Sequence, residues 1–212
     1  MDIRERWKTD RLPAAIYDFA VQNGPISRVA ARLIWGYDIR HLRRSIEALD
    51  PDALTLDIPS GGGLAIRDNP RHVAADLSRT MLDRARGRGA ALVQADIDHL
   101  PFPTGTFDLC VTYNGLHCLP DPENAVRELT RVLRPGGTLR GTTVVRGAGR
   151  DRLITMLQGH SFFGPGGTTA DLRGWLTSSG LTDIRLTPSG AVTGFTALKP
   201  ANIEDAPPPS IR

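Results

Sequence analysis

The feature that most constrains the fold is a regular alternation of short apolar runs with helical segments between residues 53 and 145. Each apolar run has the length of a buried strand, and the segments between them carry helix boundary signals such as Ser78 and Gly87. Strands that alternate with helices form βαβ units, so we expect a buried parallel sheet. The predicted strands cover residues 53–58, 72–76, 91–96, 107–114 and 138–145.

The two ends of the chain have different patterns. Residues 1–50 contain no strand-like run, and their apolar residues recur at three- and four-residue steps, which predicts a helical cap or lid. Residues 181–200 contain two strand-like runs joined by a short turn, which predicts an antiparallel hairpin. We therefore predict an α/β, Rossmann-like fold with a seven-stranded, mostly parallel sheet and an antiparallel C-terminal hairpin. The domain would span 51–199, and the proline-rich residues 200–212 would be a disordered tail.

The charge of the chain is weakly basic. The formal net charge is +3, and all 26 basic residues except Lys8 and Lys199 are arginine. Seven of the arginines lie between Arg127 and Arg152, several at helical spacing. Two interpretations are open, a nucleic-acid-binding surface and a solvated helix face, and the spacing favours the second. Nucleic acid is therefore not the expected partner.

The cysteines and the apolar content bear on the compartment. Cys110 and Cys118 lie in an apolar stretch, which predicts buried thiols rather than a disulfide framework. The charged start of the chain lacks a signal-peptide core, so we expect a cytoplasmic protein. No apolar run approaches the ~20 residues of a membrane span. The five histidines lack paired ligand spacing, so no metal site is predicted, and the oligomeric state is not indicated.

Acidic residues end three successive predicted strands. Asp57 precedes a glycine-rich loop, and Asp76 and Asp96 follow after 19 and 20 residues. Ligands of open α/β sheets bind beyond the carboxyl ends of the strands, where Asp76 could accept ribose hydroxyls and Asp96 an exocyclic amine. The third position of a dinucleotide-binding glycine motif would be Ile66, so a nicotinamide cofactor is not expected.

These segments together resemble a known family. LDIPSGGG, VAADLSRTMLDRAR and the run from VQADIDHLPFP to LRPGGTL are similar to class I S-adenosylmethionine-dependent methyltransferases. The similarity covers roughly residues 53–145 and is greatest to the small-molecule branch that includes the ubiquinone/menaquinone C-methyltransferases. The resemblance implies S-adenosyl-L-methionine as cofactor and methyl transfer to a small-molecule acceptor. A proline, Pro59, replaces the usual first glycine of the loop, and a helix of about two turns is expected in the short first crossover.

The resemblance also implies roles for individual residues. The methionine part of the cofactor would lie along Asp57 and the loop, the ribose would meet Asp76, and the adenine would meet Asp96 and its neighbours. Asn114 and Gly115 would lie near the sulfonium and the acceptor. The full set of implied cofactor-binding residues is Asp57, Ser60, Gly61, Gly63, Asp76, Leu77, Met81, Asp96, Ile97, Asn114 and Gly115.

The acceptor side is less defined by the sequence. His117 and His160 are weak candidates for a general base, and Tyr17 in the cap resembles a tyrosine that closes over the cofactor in related enzymes. The fourth strand lacks the Asn/Asp-Pro-Pro-Tyr/Phe run that resembles amino-methylation of nucleic-acid bases, which favours a small substrate. Two alternatives remain open: an RNA methyltransferase, and a protein that binds the cofactor without transferring methyl.

Overall fold

A computed structural model of the chain describes residues 28–67 and 69–201. It contains a seven-stranded sheet with the order β3-β2-β1-β4-β5-β7-β6. The strands are β1 Thr55–Asp57, β2 His72–Asp76, β3 Ala91–Gln94, β4 Phe107–Tyr113, β5 Leu133–Val144, β6 Thr182–Ser189 and β7 Val192–Leu198. The first five strands pair in parallel, and β7 inserts antiparallel between β5 and β6. This confirms the predicted fold class.

The strand order reverses between β1 and β4, since β2 and β3 lie on one side of this pair and β5 to β7 on the other. In open α/β sheets such a reversal leaves a crevice at the carboxyl ends of the strands, because the crossover helices on its two sides cover opposite faces. The topology therefore fixes where a ligand can enter.

Helices cover both faces of the sheet. Polar side chains define two of their starts: Asp121 accepts a hydrogen bond from the Asn124 amide, and Thr168 forms a capping box with Asp171. The helices are α1 Arg40–Glu47, α2 Arg79–Ala85, α3 Pro122–Val132, α4 Asp151–Gly159 and α5 Thr169–Ser178, with a π-helical turn at Ala31–Trp35 and a 3-10 turn at Leu116–Cys118.

Two apolar cores lie between the sheet and these helices. The alternation of side chains along β4 sends Cys110 to one core and Leu109 and Val111 to the other. The second core includes Leu42 and Ile46 of α1, so this part of the predicted cap packs on the sheet. The rest of the predicted cap, residues 1–27, and nearly all of the predicted tail lie outside the described residues, so the division into cap, domain and tail stays a prediction.

The first crossover lacks the two-turn helix that the sequence analysis expected. Residues 61–65 form hydrogen-bonded turns instead, with the Gly63 amide donating to Ser60 and the Ile66 amide to Gly63. Asn69 turns the chain, because its side-chain oxygen accepts a hydrogen bond from the Arg71 amide. Pro70, the next residue, also disfavours a helix at this point. A local side-chain turn here replaces the helix.

The arginines from Arg127 to Arg152 do not form a single solvated helix face, and that interpretation was wrong. Arg131 lies on α3 and pairs with Glu128, whereas Arg140 extends from β5 to backbone carbonyls at the end of α1. The helical spacing of the arginines beyond Val132 is a coincidence, because β5 begins at Leu133. These side chains serve separate structural contacts.

Candidate active site

A pocket opens at the carboxyl ends of β1 to β4, at the point where the strand order reverses. Its walls come from the loop after β1, the ends of β2 and β3, and the loop after β4. The lining residues are Asp57, Ile58, Pro59, Ser60, Gly61, Gly62, Leu64, Ala65, Asp76, Leu77, Ser78, Met81, Ala95, Asp96, Ile97, Tyr113, Asn114, Gly115, Cys118, Leu119 and Pro120. All but one of the described residues that the sequence analysis assigned to the cofactor are among them.

Asp76 ties the loop after β1 to the start of α2. Its Oδ2 accepts a hydrogen bond from the Gly61 amide at 2.8 Å, and its Oδ1 accepts from the Ser78 amide at 2.8 Å. Burial raises the pKa of this carboxyl to about 6, against the lowering effect of the two amides. The carboxylate thus shapes the pocket and also lines it.

Asp57 lies at the floor of the pocket and is almost fully buried, with 2% of the residue exposed. Its Oδ2 is 3.6 Å from Nε2 of His72, which is equally buried. Burial raises the pKa of Asp57, and the contact with His72 opposes that rise. A buried carboxylate at the end of a strand is a suitable partner for a cationic group of a ligand.

The loop after β1 contributes polar atoms and close packing. The Oγ of Ser60 is buried and has no hydrogen-bond partner among the described residues, so it is available to a polar ligand. Gly61 adopts a left-handed backbone conformation with open space beside its Cα. Gly63 does not line the pocket: a Cβ there would lie 3.2 Å from the Cβ of Ala85, so this glycine permits close packing against α2.

The ends of β2 and β3 form an apolar wall. Leu77 and Ile97 line the pocket beside Met81 of α2, which is 5% exposed. The Asp96 carboxylate accepts a hydrogen bond from the Asp98 amide and also lines the pocket. An apolar wall with a carboxylate at its edge suits a purine ring that bears an amine.

The chain after β4 turns sharply at the mouth of the pocket. Asn114 has a φ of 56°, and its amide oxygen accepts a hydrogen bond from the Thr142 hydroxyl at 2.9 Å. Gly115 lies against Pro59, since a Cβ at this position would come within 2.6 Å of the proline Cγ. The two predicted residues therefore support the pocket as well as line it.

The structure does not bring the two candidate bases to the pocket. His117 is 4% exposed, packs edge-on against Phe163, and accepts a hydrogen bond from the Val144 amide at its Nδ1. Burial lowers its pKa to about 3, so the ring is neutral. His160 ends α4 and is not among the lining residues. Tyr17 lies outside the described residues, so its role stays a prediction.

Sequence reasoning missed several lining residues. Tyr113, whose hydroxyl contacts Ser45 Oγ at 2.9 Å, and the run Cys118–Pro120 form the wall next to Asn114. It also missed His72, which begins β2 and reaches Asp57 from the neighbouring strand. Tyr113 could have been found from its position near the end of a predicted strand. The Asp57–His72 contact could not, because it follows only from the register of β1 and β2.

Comparisons with known proteins agree with this geometry. Residues 56–140 match the family model described as a methyltransferase domain. The chain is 31% identical over 170 residues to an uncharacterised chloroplastic methyltransferase of Arabidopsis thaliana, covering 69% of this chain and 47% of that protein. It is 36% identical over 111 residues to a ubiquinone/menaquinone biosynthesis C-methyltransferase of an Enterobacter species, covering 48% of this chain and 44% of that protein. The chain thus spans about half the length of the curated relatives that it matches.

A solved structure supports the fold. An S-adenosylmethionine-dependent methyltransferase of Thermotoga maritima, described as a possible histamine N-methyltransferase, superposes with a TM-score of 0.66. The identity is 18%, and the match covers 85% of this chain and 98% of that one, so the likeness concerns the fold alone.

The strand order and the pocket at its reversal define a Rossmann-like domain of the methyltransferase type. The matched family model and the relatives support the similarity of residues 56–140 to class I S-adenosylmethionine-dependent methyltransferases that the sequence predicted. The predicted cofactor, S-adenosyl-L-methionine, is confirmed as that of the family. Within residues 28–67 and 69–201, no helix has the length and apolar character needed to cross a membrane.

Proposed function

We propose that the protein transfers a methyl group from S-adenosyl-L-methionine to a small, apolar or aromatic acceptor. The observation that carries this proposal is the pocket at the strand-order reversal, with two buried carboxylates at its base and an apolar wall beside Asn114. When bound, S-adenosylmethionine supplies a methyl group that its sulfonium has already activated. The protein's tasks are then to bind, to orient and to exclude water.

The cofactor-binding half is assigned to residues at the ends of β1, β2 and β3. Asp57 would hold the ammonium group, and the Ser60 hydroxyl and the Gly61 region would lie along the methionine part. Asp76 would accept the ribose hydroxyls while it keeps its amide contacts. The buried, unpartnered Ser60 Oγ and the open space at Gly61 support this fit. Leu77, Met81, Asp96 and Ile97 would enclose the adenine.

The acceptor half is assigned to the loop after β4. Its lining includes the apolar or weakly polar side chains of Cys118, Leu119 and Pro120, with Tyr113 beside them. Relatives of the chain are named as methyltransferases of ubiquinone/menaquinone biosynthesis and of 2-methyl-6-phytyl-1,4-hydroquinone. We therefore place hydroquinones first among candidate acceptors. His117 is not assigned as the base, because it is buried, is not among the lining residues, and has a pKa lowered to about 3 by burial.

The cysteines bear on the compartment, and the arginines bear on the RNA-methylating alternative. Two free cysteines, one of them fully buried, suit a cytoplasmic protein. An RNA-methylating function would need a basic surface, but Arg131, Arg140 and Arg146 make intramolecular contacts at separate places. A protein that binds the cofactor without transferring methyl is the other alternative, and a turnover assay separates it from an enzyme.

The proposal is tested by measuring S-adenosylhomocysteine formation with a panel of reduced benzoquinols and naphthoquinols, which differ in ring size and side-chain length. We expect turnover with one of these, and strongly reduced turnover by Asp76→Ala at the same cofactor concentration. Cofactor binding without turnover across hydroquinones, phenols and amines would instead support a non-catalytic protein.

A further inference from the structure

We propose that His72 is a positioning residue for cofactor binding: it holds the Asp57 carboxylate ionised and directed at the ammonium group of S-adenosylmethionine. The inference rests on the proposed function, since it assigns a partner to the side chain that would hold the methionine part. Neither the family's motif segments nor the sequence analysis includes His72 in the site.

The strand register explains how His72 reaches Asp57. His72 is the residue of β2 paired with Thr55, and Asp57 lies two residues further along β1. Residues two apart on a strand point to the same face, so the two side chains meet diagonally across neighbouring strands. The resulting Nε2–Oδ2 distance is 3.6 Å, slightly longer than a hydrogen bond, and a polar N–H at Nε2 that faces Oδ2 favours the ionised carboxylate.

Among the described residues, neither atom has an alternative hydrogen-bond partner. The Oδ2 of Asp57 and the Nε2 of His72 both lie buried without a hydrogen bond from any other described group, and both residues are 2% exposed. A buried polar atom without a partner carries a free-energy cost that proteins generally avoid. The mutual contact reduces that cost, and a cation in the pocket would reduce it further on the Asp57 side.

The other ionisable groups around Asp57 do not favour its charged form. Asp76, from β2, and Tyr113, from β4, both interact electrostatically with Asp57, and a negative charge on either would oppose its ionisation. Burial acts in the same direction, whereas His72 favours the ionised carboxylate. If His72 is removed, Asp57 should stay protonated to higher pH, and a neutral carboxyl group binds an ammonium group weakly.

The experiment compares two ligands by calorimetric titration between pH 6 and pH 9. S-adenosylhomocysteine carries the ammonium group, and 5′-methylthioadenosine has the same adenosine and sulfur but lacks the amino acid. We expect His72→Leu to weaken S-adenosylhomocysteine binding about tenfold or more at pH 7, with recovery toward pH 9. Methylthioadenosine should bind equally well to both proteins. His72→Gln, which retains an N–H donor at a similar reach, should bind S-adenosylhomocysteine within about threefold of the wild type.

A double-mutant cycle isolates the pair. In an Asp57→Asn background no carboxylate depends on His72, so adding His72→Leu should not weaken S-adenosylhomocysteine binding further. If His72→Leu does not fold, His72→Asn takes its place, because its amide is too short to reach Oδ2. Equal losses for both ligands would show a purely structural role and overturn the inference, as would unchanged binding and pH profile. If the wild type bound neither ligand, the proposed function itself would fail.

Discussion

The two halves of the pocket differ in how they are built. The half at the ends of β1, β2 and β3 holds three carboxylates on rigid strand ends, and two of these are buried with defined partners. The half after β4 is a turn with a left-handed Asn114 and a run of apolar side chains. Under the proposed function, cofactor affinity would depend on directed polar contacts, whereas acceptor selection would depend on the shape of the pocket. Substitutions in the two halves should therefore have different effects.

The largest effect is expected from Asp76→Ala in the cofactor half. Loss of contacts to a charged acceptor should weaken S-adenosylhomocysteine binding by about 1.5–3 kcal/mol. The free energy of unfolding should change less, because two amides lose their acceptor while a buried carboxyl whose pKa is raised to about 6 is also removed. Calorimetric titration and thermal melts check both expectations.

The control for Asp76→Ala is Asp83→Ala on α2, where the carboxylate pairs with Arg86 on the surface. That variant should bind the ligand normally. A collapse of the melting temperature in Asp76→Ala with unchanged affinity would mean that Asp76 belongs to the scaffold and not to the binding half.

Gly115→Ala tests the close packing between the loop after β4 and the loop after β1. The added methyl group would collide with Pro59 and shift one loop against the other, at a cost of about 1–3 kcal/mol of unfolding free energy. Gly174→Ala is the matched control, because nothing lies within 4 Å of a Cβ there and alanine favours the helix. We expect opposite shifts in melting temperature; a stabilised Gly115→Ala would disprove the close contact of the two loops.

His117→Asn tests whether His117 belongs to the scaffold. Since burial lowers the pKa of His117 from 6.5 to about 3, the unfolded chain binds a proton in this range that the folded protein does not. The stability contribution is complete above pH 6.5 and is lost progressively as the pH falls toward 3. The pH slope of the unfolding free energy should drop in the variant by up to about 1.4 kcal/mol per unit.

This slope is measured by denaturant unfolding between pH 5 and pH 8. Asp76, whose raised pKa gives the opposite slope below about pH 6, is present in both proteins and cancels in the difference. Equal slopes in the two proteins would mean that His117 titrates normally in the folded state, which would return it to the list of candidate bases.

The smallest effect is expected from the arginines. Arg127 on α3 contacts Asn124, and Arg127→Gln should leave RNA affinity unchanged because neither protein should bind RNA at micromolar concentration. Single-stranded RNA titrated at 50 and 200 mM salt provides the measurement. Binding by the wild type that weakens steeply with salt and is reduced in the variant would favour the RNA-methylating alternative.

The two halves also differ in how far sequence predicted them. Asp57, Asp76 and Asp96 end strands that local hydrophobic patterns reveal, and the parallel topology then places them at one edge. The acceptor half depends on contacts between distant segments, such as Tyr113 with Ser45, which no local pattern encodes. The position of His117 after β4 made it a candidate base, but the side chain packs against Phe163 in the protein interior.

The central claim is that the pocket at the reversal of strand order binds the cofactor. Isothermal titration of the folded protein with S-adenosylhomocysteine tests it most directly. We expect one site with micromolar affinity, or roughly −7 to −8 kcal/mol, that is weakened by about 1.5–3 kcal/mol in Asp76→Ala. No heat of binding at high micromolar concentrations of a protein with a cooperative thermal melt would contradict it.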